Sequence, residues 1–420
     1  MNIEILATGD ELLTGALSDT NSAFIAEGLS QNHLKVNRLH AVGDDLQLIT
    51  SLLLEIGQRS DLLIVTGGLG PTPDDLSAEA VARASGKKLE YNTDAYNEMC
   101  SFFERIKRPM NASNKKQAYL PEGAQRIPNP IGTASGFIAQ INKCRSYFLP
   151  GVPHEMKKMF NSYVLPDILQ QASISDQITK AQTITCFGPS ESTIGDAIKD
   201  IPTKVPGVRA GTRSKFPEIQ IKLYATGTNK EDVNTLLKKA EHLCIDRMGK
   251  YIISLHGESM QKVVGDLLKK EGATLSIAES CTGGLIAHLM TQIPGSSDFF
   301  LCSAVTYANE AKTNILGVPS ETILKNGAVS QETVQEMAIR IRQKMNSDFA
   351  LATSGIAGPA GGSPEKPVGT ICMAVAYDSD VCFQKIVLPF GTRTQKKELF
   401  AMVAMDMLRR TLLKIPYIFE

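Results

Sequence analysis

The chain has 420 residues, 43% of them hydrophobic and 6% aromatic, with no Trp and with 44 Lys+Arg balanced by 44 Asp+Glu. That much apolar material excludes wholesale disorder, and at about 150 residues per domain the length predicts roughly two or three domains. A formal net charge of zero argues against a generic polyanion binder, because no overall field steers DNA, RNA or an anionic membrane.

In residues 1–165, short β-prone runs (Ile3–Ala7, Leu62–Thr66, Phe137–Ile141, Tyr147–Leu149) alternate with helical patterns such as Thr20–Asn32 and Leu46–Gln58. In the second helix the apolar residues Leu46, Ile49, Leu52, Leu53 and Ile56 recur at helical spacing. Alternation of this kind predicts an α/β layer with a mainly parallel sheet, and Pro150-Gly151-Val152-Pro153 leads into a further short helix. Two loops follow strands: Thr8-Gly9-Asp10-Glu11, and Gly67-Gly68-Leu69-Gly70-Pro71-Thr72-Pro73-Asp74-Asp75. Ligands of open α/β sheets bind beyond the carboxyl ends of strands, where glycines let amides approach an anion. Asp74 and Asp75 precede a helix over Leu76–Ala84 and could cap it or hold a metal ion. The loop is neither a P-loop nor G-x-G-x-x-G, and as a plain turn it would need no ligand.

Residues 166–253 read as a small α+β module, with strands at Thr183–Phe187 and Glu218–Thr226 and helices at Thr193–Lys199 and Lys230–Met248. Arg209, Arg213, Lys215 and Lys222 could line one face, but a solvated face is the simpler reading, and no GXXG clamp for nucleic acid occurs.

Residues 254–420 are predicted to run from a helix (Ser259–Lys270) into a strand (Thr274–Ala278), a glycine-containing turn and a helix (Leu285–Gln292). Further strands are expected at Phe300–Tyr307, Phe349–Thr353, Gly369–Tyr377 and Val381–Leu388, with a last helix at Thr394–Leu413. The turn Glu279-Ser280-Cys281-Thr282-Gly283-Gly284 joins strand to helix, where a helix N-terminus favours developing negative charge. Ser280 and Cys281 are both conceivable nucleophiles. The turn is not G-x-S-x-G, and His288 lies about two turns along the helix, so a Ser-His-Asp triad is poorly supported. Lys312, in the first turn of another helix, is an alternative base once desolvation lowers its pKa. Amides of Ser354-Gly355-Ile356-Ala357-Gly358 could form an oxyanion hole or cradle a phosphate.

The three segments carry net charges of −2, +2 and 0, so none is basic enough to make nucleic acid a default partner. No basic n-region opens the chain and no run of about 18 apolar residues occurs, so neither a signal peptide nor a membrane span is expected. The eight scattered cysteines, with no C-x-x-C pair, read as reduced thiols of a cytoplasmic protein. Without H-E-x-x-H, any metal should be a hard cation on carboxylates.

Four ordered motifs in the first segment resemble the molybdopterin-binding-like domain of the CinA (competence/damage-inducible) family. They are Thr8-Gly9-Asp10-Glu11, Gly67-Gly68-Leu69-Gly70-Pro71-Thr72, Asn129-Pro130-Ile131-Gly132-Thr133-Ala134 and Pro150-Gly151-Val152-Pro153-His154-Glu155. The resemblance implies a metal-dependent ADP-ribose pyrophosphatase. Thr8, Gly9, Gly67, Gly68, Gly70, Thr72, Gly132 and Thr133 would surround the nucleotide. Asp74 and Asp75, with Asp10 or Glu11, would hold a divalent ion (Mg, Mn or Co). Ser135 departs from the family, which usually has Pro there. The middle segment resembles the family's KH-like connecting domain, expected as a connector and dimerisation element.

Residues 278–284 (AESCTGG), 305–312 (VTYANEAK), 327–330 (GAVS), 354–362 (SGIAGPAGG) and 366–370 (KPVGT) look like the CinA C-terminal domain, a nicotinamide mononucleotide (NMN) amidohydrolase in many members. Its serine and lysine fall on Ser280 and Lys312. Tyr307 and Thr282 would orient the pair, and no cofactor is implied. Amides at Gly283, Gly284, Gly355, Ile356, Ala357 and Gly358 would serve the oxyanion or substrate, and Arg393 would take the substrate phosphate. The implied whole is a multidomain α/β, cytoplasmic, homodimeric hydrolase of NMN and ADP-ribose, with no direct nucleic-acid or membrane partner. Two rivals are a molybdopterin-type binding protein and a competence-associated factor, each with a degenerate C-terminal site.

Overall fold

The computed structural model describes residues 1–172 and 178–417. The chain divides into two compact units, Met1–Lys180 with Thr226–Val233, and Ala181–Ala225 with Asn234–Glu420. Both are α/β.

The first unit is built on a six-stranded sheet in the order Val36–Val42, Ile3–Thr8, Leu62–Thr66, Cys144–Leu149, Gly136–Ile141, Gln125–Ile127. The first four strands pair in parallel and the last two antiparallel, so the expected mainly parallel sheet carries an antiparallel edge. The central strands Ile3–Thr8 and Leu62–Thr66 are buried along their whole length, as continuous apolar runs covered on both faces require. One face packs on Ile25, Leu29, Met156 and Phe160, the other on Ile49, Leu53, Ile56 and Val81. Leu46–Arg59 is the expected amphipathic helix, capped by Asp45, whose carboxylate accepts from the Gln47 and Leu48 amides. The boundary expected after residue 165 falls inside this unit. Helix Leu165–Gln171 continues from it, and Ile168 is part of its core, because the apolar pattern runs on past Leu165.

The sheet centre also holds a charge. Glu4 lies fully buried on the strand Ile3–Thr8, where its carboxylate accepts from Arg59 Nε and Nη2, both at 2.8 Å, and from Ser60 Oγ at 2.7 Å. His40 Nε2 lies 2.6 Å away.

The middle segment forms a four-stranded sheet in the order Val208–Lys215, Glu218–Gly227, Ile178–Cys186, Ile252–Ser254. Phe187 and Ile253 belong to the same buried cluster as Phe299, Phe400 and Met405, so the middle and last segments share a core.

The last segment carries a five-stranded sheet in the order Phe300–Val305, Leu275–Glu279, Phe349–Gly355, Thr370–Tyr377, Asp380–Val387. The first three strands are parallel and the last two antiparallel. Helix Arg393–Leu413 covers one face and Gln331–Met345 the other. The latter helix was not among the expected elements. Its signal is present in the sequence: Ser330 caps it, and Val334, Met337, Ala338 and Ile341 recur at helical spacing and are buried. Among the described residues no helix is long and apolar enough to cross a membrane.

Candidate functional site

In the last segment, the parallel strands Leu275–Glu279 and Phe300–Val305 end side by side, which brings Ser280 and Lys312 together. Lys312 opens a π-helical turn, Lys312–Leu316, that directly follows the short helix Asn309–Ala311. Its side chain is 1% exposed, and Nζ stands 3.0 Å from Ser280 Oγ, 2.9 Å from Thr306 O and 3.2 Å from Tyr307 O. No carboxylate is among these partners. Desolvation therefore dominates and pushes the amine below its ordinary value of 10.5. A neutral amine has two N–H donors and one lone pair. In that form the two carbonyls would take the donors and the lone pair would face Ser280 Oγ, to which Nζ donates in the structure.

The dyad lines a cavity of about 270 Å³ with Gly355, Ile356, Ala357, Gly358 and Arg393. Among the described residues its lining holds the Lys312 amine and the Arg393 guanidinium and no carboxylate. Arg393 Nη1 donates to Gly358 O at 2.5 Å and Nη2 to the Tyr307 hydroxyl at 2.8 Å, so the guanidinium spans the cavity's edge. Asn309, Ser354, Ala328 and Val329 also line it. Asn309 and Ser354 stand beside the expected residues in the motifs, but nothing in the sequence says which side chains point inward.

Several expected roles change. Gly283 and Gly284 do not line the cavity, and their amides are committed, Gly283 N–H to Ser280 O at 3.1 Å and Gly284 N–H to Glu279 Oε2 at 3.0 Å. The Ile356 amide is committed to Thr370 O at 2.8 Å by the pairing of neighbouring strands. Ala357 and Gly358 are left as lining residues whose amides have no backbone acceptor among the described residues. The Thr282 hydroxyl is paired elsewhere, 2.9 Å from that of Thr353. Tyr307 holds Lys312 through its carbonyl, while its phenol meets Arg393. Cys281 lines the cavity, but burial pushes its thiol up to about 12, which leaves almost no thiolate at neutral pH.

The helix N-terminus expected to face developing charge is already filled. The fully buried Glu279 carboxylate accepts from the amides of Gly284, Ile286 and Ala287.

In the first unit a cavity of about 380 Å³ lies beyond the carboxyl ends of the parallel strands. It is lined by Thr8, Gly9, Glu11, Gly67, Gly68, Gly70, Asp74, Asp75 and Thr133 from the expected set, and also by Asp44, Gln117 and Glu155. Gly67 and Gly68 take φ of +104° and +66°, and a Cβ at Gly68 would collide with the Ser77 hydroxyl. Three expected residues do not line it. Thr72 instead shapes the turn, donating from N and Oγ1 to Asp75 Oδ2 at 2.8 and 2.6 Å. Gly132 makes room for the Glu155 carboxylate, which a Cβ would strike. Asp10 Oδ1 accepts from the Asp44 amide at 3.1 Å. The helix begins at Ser77, so Asp74 and Asp75 belong to the preceding turn and do not cap it. Ser135 is accommodated by donating to Glu98 Oε2 at 3.1 Å, beside Arg126 at 2.6 Å.

Five carboxylates line this cavity (Glu11, Asp44, Asp74, Asp75, Glu155) and no Lys, Arg or His does. Burial pushes Asp44 above the usual carboxylate range, its hydrogen bond with the Asp10 amide opposes this, and the charges of Asp10, Glu11 and Asp74 add to the rise. Such a donor set matches a hard divalent cation in kind. Among the described residues, however, no group of three or more His, Cys, Asp or Glu side chains is arranged to hold one.

In the middle segment, Lys222 Nζ donates to Thr183 Oγ1 at 3.0 Å, Arg209 lies over the Tyr224 ring and Lys215 is 3.8 Å from Glu218. The turn between helices Glu191–Ile198 and Ile201–Lys204 holds Lys199 and Asp200, not glycines, and Asp200 is ion-paired with Arg247.

Comparison with known proteins matches three family models in order along the chain. They are described as "Probable molybdopterin binding domain" over residues 4–170, "Damage-inducible protein CinA KH domain" over 181–254 and "CinA C-terminal domain" over 257–412. A CinA-like protein of Desulfosudis oleivorans is 47% identical over 413 residues, covering 98% of this chain and 100% of the relative. Another, of Desulforapulum autotrophicum, is 43% identical and covers 98% and 99%. Among solved structures, a competence/damage-inducible protein of Agrobacterium tumefaciens is 38% identical, covering 37% of this chain and 93% of that one, with a TM-score of 0.36.

Proposed function

The chain belongs to the CinA family, and from that premise we propose that its C-terminal cavity hydrolyses the carboxamide of NMN to nicotinate mononucleotide and ammonia. The observation that carries the reading is the buried Lys312 amine, bonded only to neutral oxygens and 3.0 Å from Ser280 Oγ. A lysine in this setting accepts a proton at a pH where a solvated lysine cannot.

In the reaction, Lys312 Nζ takes the hydroxyl proton as Ser280 Oγ bonds to the carboxamide carbon. The carbonyl oxygen becomes an oxyanion, which the Ala357 and Gly358 amides are available to stabilise. The tetrahedral adduct collapses as Lys312 passes its proton to the leaving nitrogen, so ammonia departs and an ester on Ser280 remains. Water then attacks that ester while Lys312 again takes the proton. Collapse passes that proton from Lys312 to Ser280 Oγ and releases the carboxylic acid, which ionises in water. A neutral Lys312 also avoids setting a second cation against the pyridinium of NMN. Arg393, at the cavity's edge, would meet the phosphate on releasing Gly358 or Tyr307.

A second reading is supported by the first unit's cavity. Five carboxylates and no basic side chain would repel a bare pyrophosphate, so a phosphorylated ligand needs a cation there. Because no three of these carboxylates are arranged to hold an ion by themselves, a divalent cation would have to arrive bound to the phosphates, whose charge it would neutralise. The Gly67–Gly70 loop would present its backbone to the same phosphates. The family resemblance makes ADP-ribose the expected substrate.

The test of both is an activity screen of the full chain against NMN and ADP-ribose, with and without divalent metal. Ammonia release from NMN that persists in EDTA and vanishes in Ser280→Ala supports the first reading. Release that persists in Ser280→Ala refutes it.

A further inference from the structure

Glu279 precedes Ser280 directly, is 0% exposed, and takes no part in the proposed hydrolysis. Its carboxylate accepts four hydrogen bonds, from the amides of Gly284 (3.0 Å), Ile286 (3.1 Å) and Ala287 (2.9 Å) and from Ser303 Oγ (3.1 Å). Its main-chain carbonyl accepts a fifth, from the Thr306 amide at 2.8 Å. The first three partners lie on the turn and helix that follow the nucleophile. Ser303 and Thr306 lie on the strand Phe300–Val305 and at its exit, where the Thr306 and Tyr307 carbonyls grip Lys312. One residue thus fastens both the backbone that carries Ser280 and the backbone that holds its base.

We infer that Glu279 is a positioning residue, setting the Ser280–Lys312 separation by clamping the nucleophile's turn to the exit of the neighbouring strand. The inference rests on the Ser280/Lys312 reading of this site. A charge buried among amides and one hydroxyl does not need an ion pair, because each carboxylate oxygen has two donors. Glutamine has nearly the same shape, yet it replaces one oxygen with an NH₂ group. Whichever way the amide is turned, that group faces donors, so the clamp must loosen.

The test uses the full chain and two readouts. One is the rate at which a fluorophosphonate, which reacts with activated serines, labels Ser280; the other is kcat and KM for NMN. A displacement of about 1 Å at the dyad costs roughly 100-fold. Glu279→Gln should therefore be labelled about that much more slowly, with a similar fall in kcat and a nearly unchanged KM. Ser303→Ala removes one of the four donors and should slow labelling by about 10-fold, the equivalent of one hydrogen bond. Thermal midpoints are measured alongside. Wild-type labelling rates in a folded variant overturn the inference. So does a deficit that vanishes when the proteins are compared equally far below their midpoints. If Glu279→Gln does not fold, Ser303→Ala decides alone. Wild-type protein that is labelled at Ser280 but releases no ammonia refutes the NMN reading and leaves the inference standing. Wild-type protein that is not labelled sinks both.

Discussion

Lys312 is the point at which the proposed chemistry is most exposed to experiment. Lys312→Met keeps the aliphatic stem and removes the amine, while Lys312→Arg keeps a cation that cannot give up its proton. General base catalysis is worth about 10²- to 10⁴-fold, so both variants should lose ammonia release from NMN by roughly 10³-fold. Their stabilities should differ. Met leaves the Thr306 and Tyr307 carbonyls without a donor, at about 1–3 kcal/mol each. Against this it relieves the desolvation that lowers the Lys312 pKa. The two effects oppose, and the net change should stay within about 3 kcal/mol, whereas a lysine in a structural ion pair would cost more when removed. The pH dependence has a definite sign. Because the folded-state pKa is depressed, the unfolded chain binds more protons between that value and 10.5. The burial cost is therefore fully present below the folded pKa and fades as pH rises towards 10.5. Activity moves the same way, rising with pH through the folded pKa as the amine becomes a base. The assays are initial rates of ammonia release and urea unfolding across neutral to alkaline pH. Retention of more than about a tenth of kcat in Lys312→Met, or a rate that falls as pH rises through this range, refutes the reasoning.

Cys281→Ala should keep most ammonia release, since its thiol is pushed up to about 12, while Ser280→Ala should abolish it; a dead Cys281→Ala reverses the assignment of the nucleophile. Arg393→Ala should raise KM for NMN about 10-fold, the worth of one charge-assisted hydrogen bond, and leave turnover of nicotinamide riboside nearly unchanged. Equal losses on both substrates would remove Arg393 from the phosphate. In the first unit, desolvation raises the Glu4 pKa, but the hydrogen bonds from Arg59, Ser60 and His40 win and hold it at about 2. Relative to 4.5 unfolded, that is roughly 3 kcal/mol of stability, present above the unfolded pKa and lost as pH falls through the folded one. Glu4→Gln should therefore lower urea stability by about that amount at pH 7, with the gap to wild type narrowing between pH 5 and 2. A constant gap would show that the charge is not responsible. EDTA should abolish ADP-ribose hydrolysis and spare NMN hydrolysis, measured on one preparation; joint loss would contradict two separate sites.

Sequence alone carried the α/β class, the central strands and the residues of both loop clusters. Runs such as Leu62–Thr66 and the apolar spacing of Leu46–Arg59 are local signals, because burial on one or two faces writes itself directly into hydropathy period. The choice of Ser280 with Lys312 came from family resemblance, since the residues themselves left Cys281 open. Only the tertiary structure decided which groups of each motif are free to act. Ile356 is lost to Thr370 through an antiparallel partner strand, and Gly284 is lost to Glu279 across the turn. Asp75 is claimed by Thr72, while Asp44 and Glu155 arrive at the cavity from other loops. The physical reason is that an amide N–H has one proton to give and a carboxylate only a few lone pairs, and these are taken by whatever the fold brings within about 3 Å. Hydropathy records which side of an element is buried. It does not record which donor finds which acceptor, and the Ser280–Lys312 contact belongs to that second kind of fact.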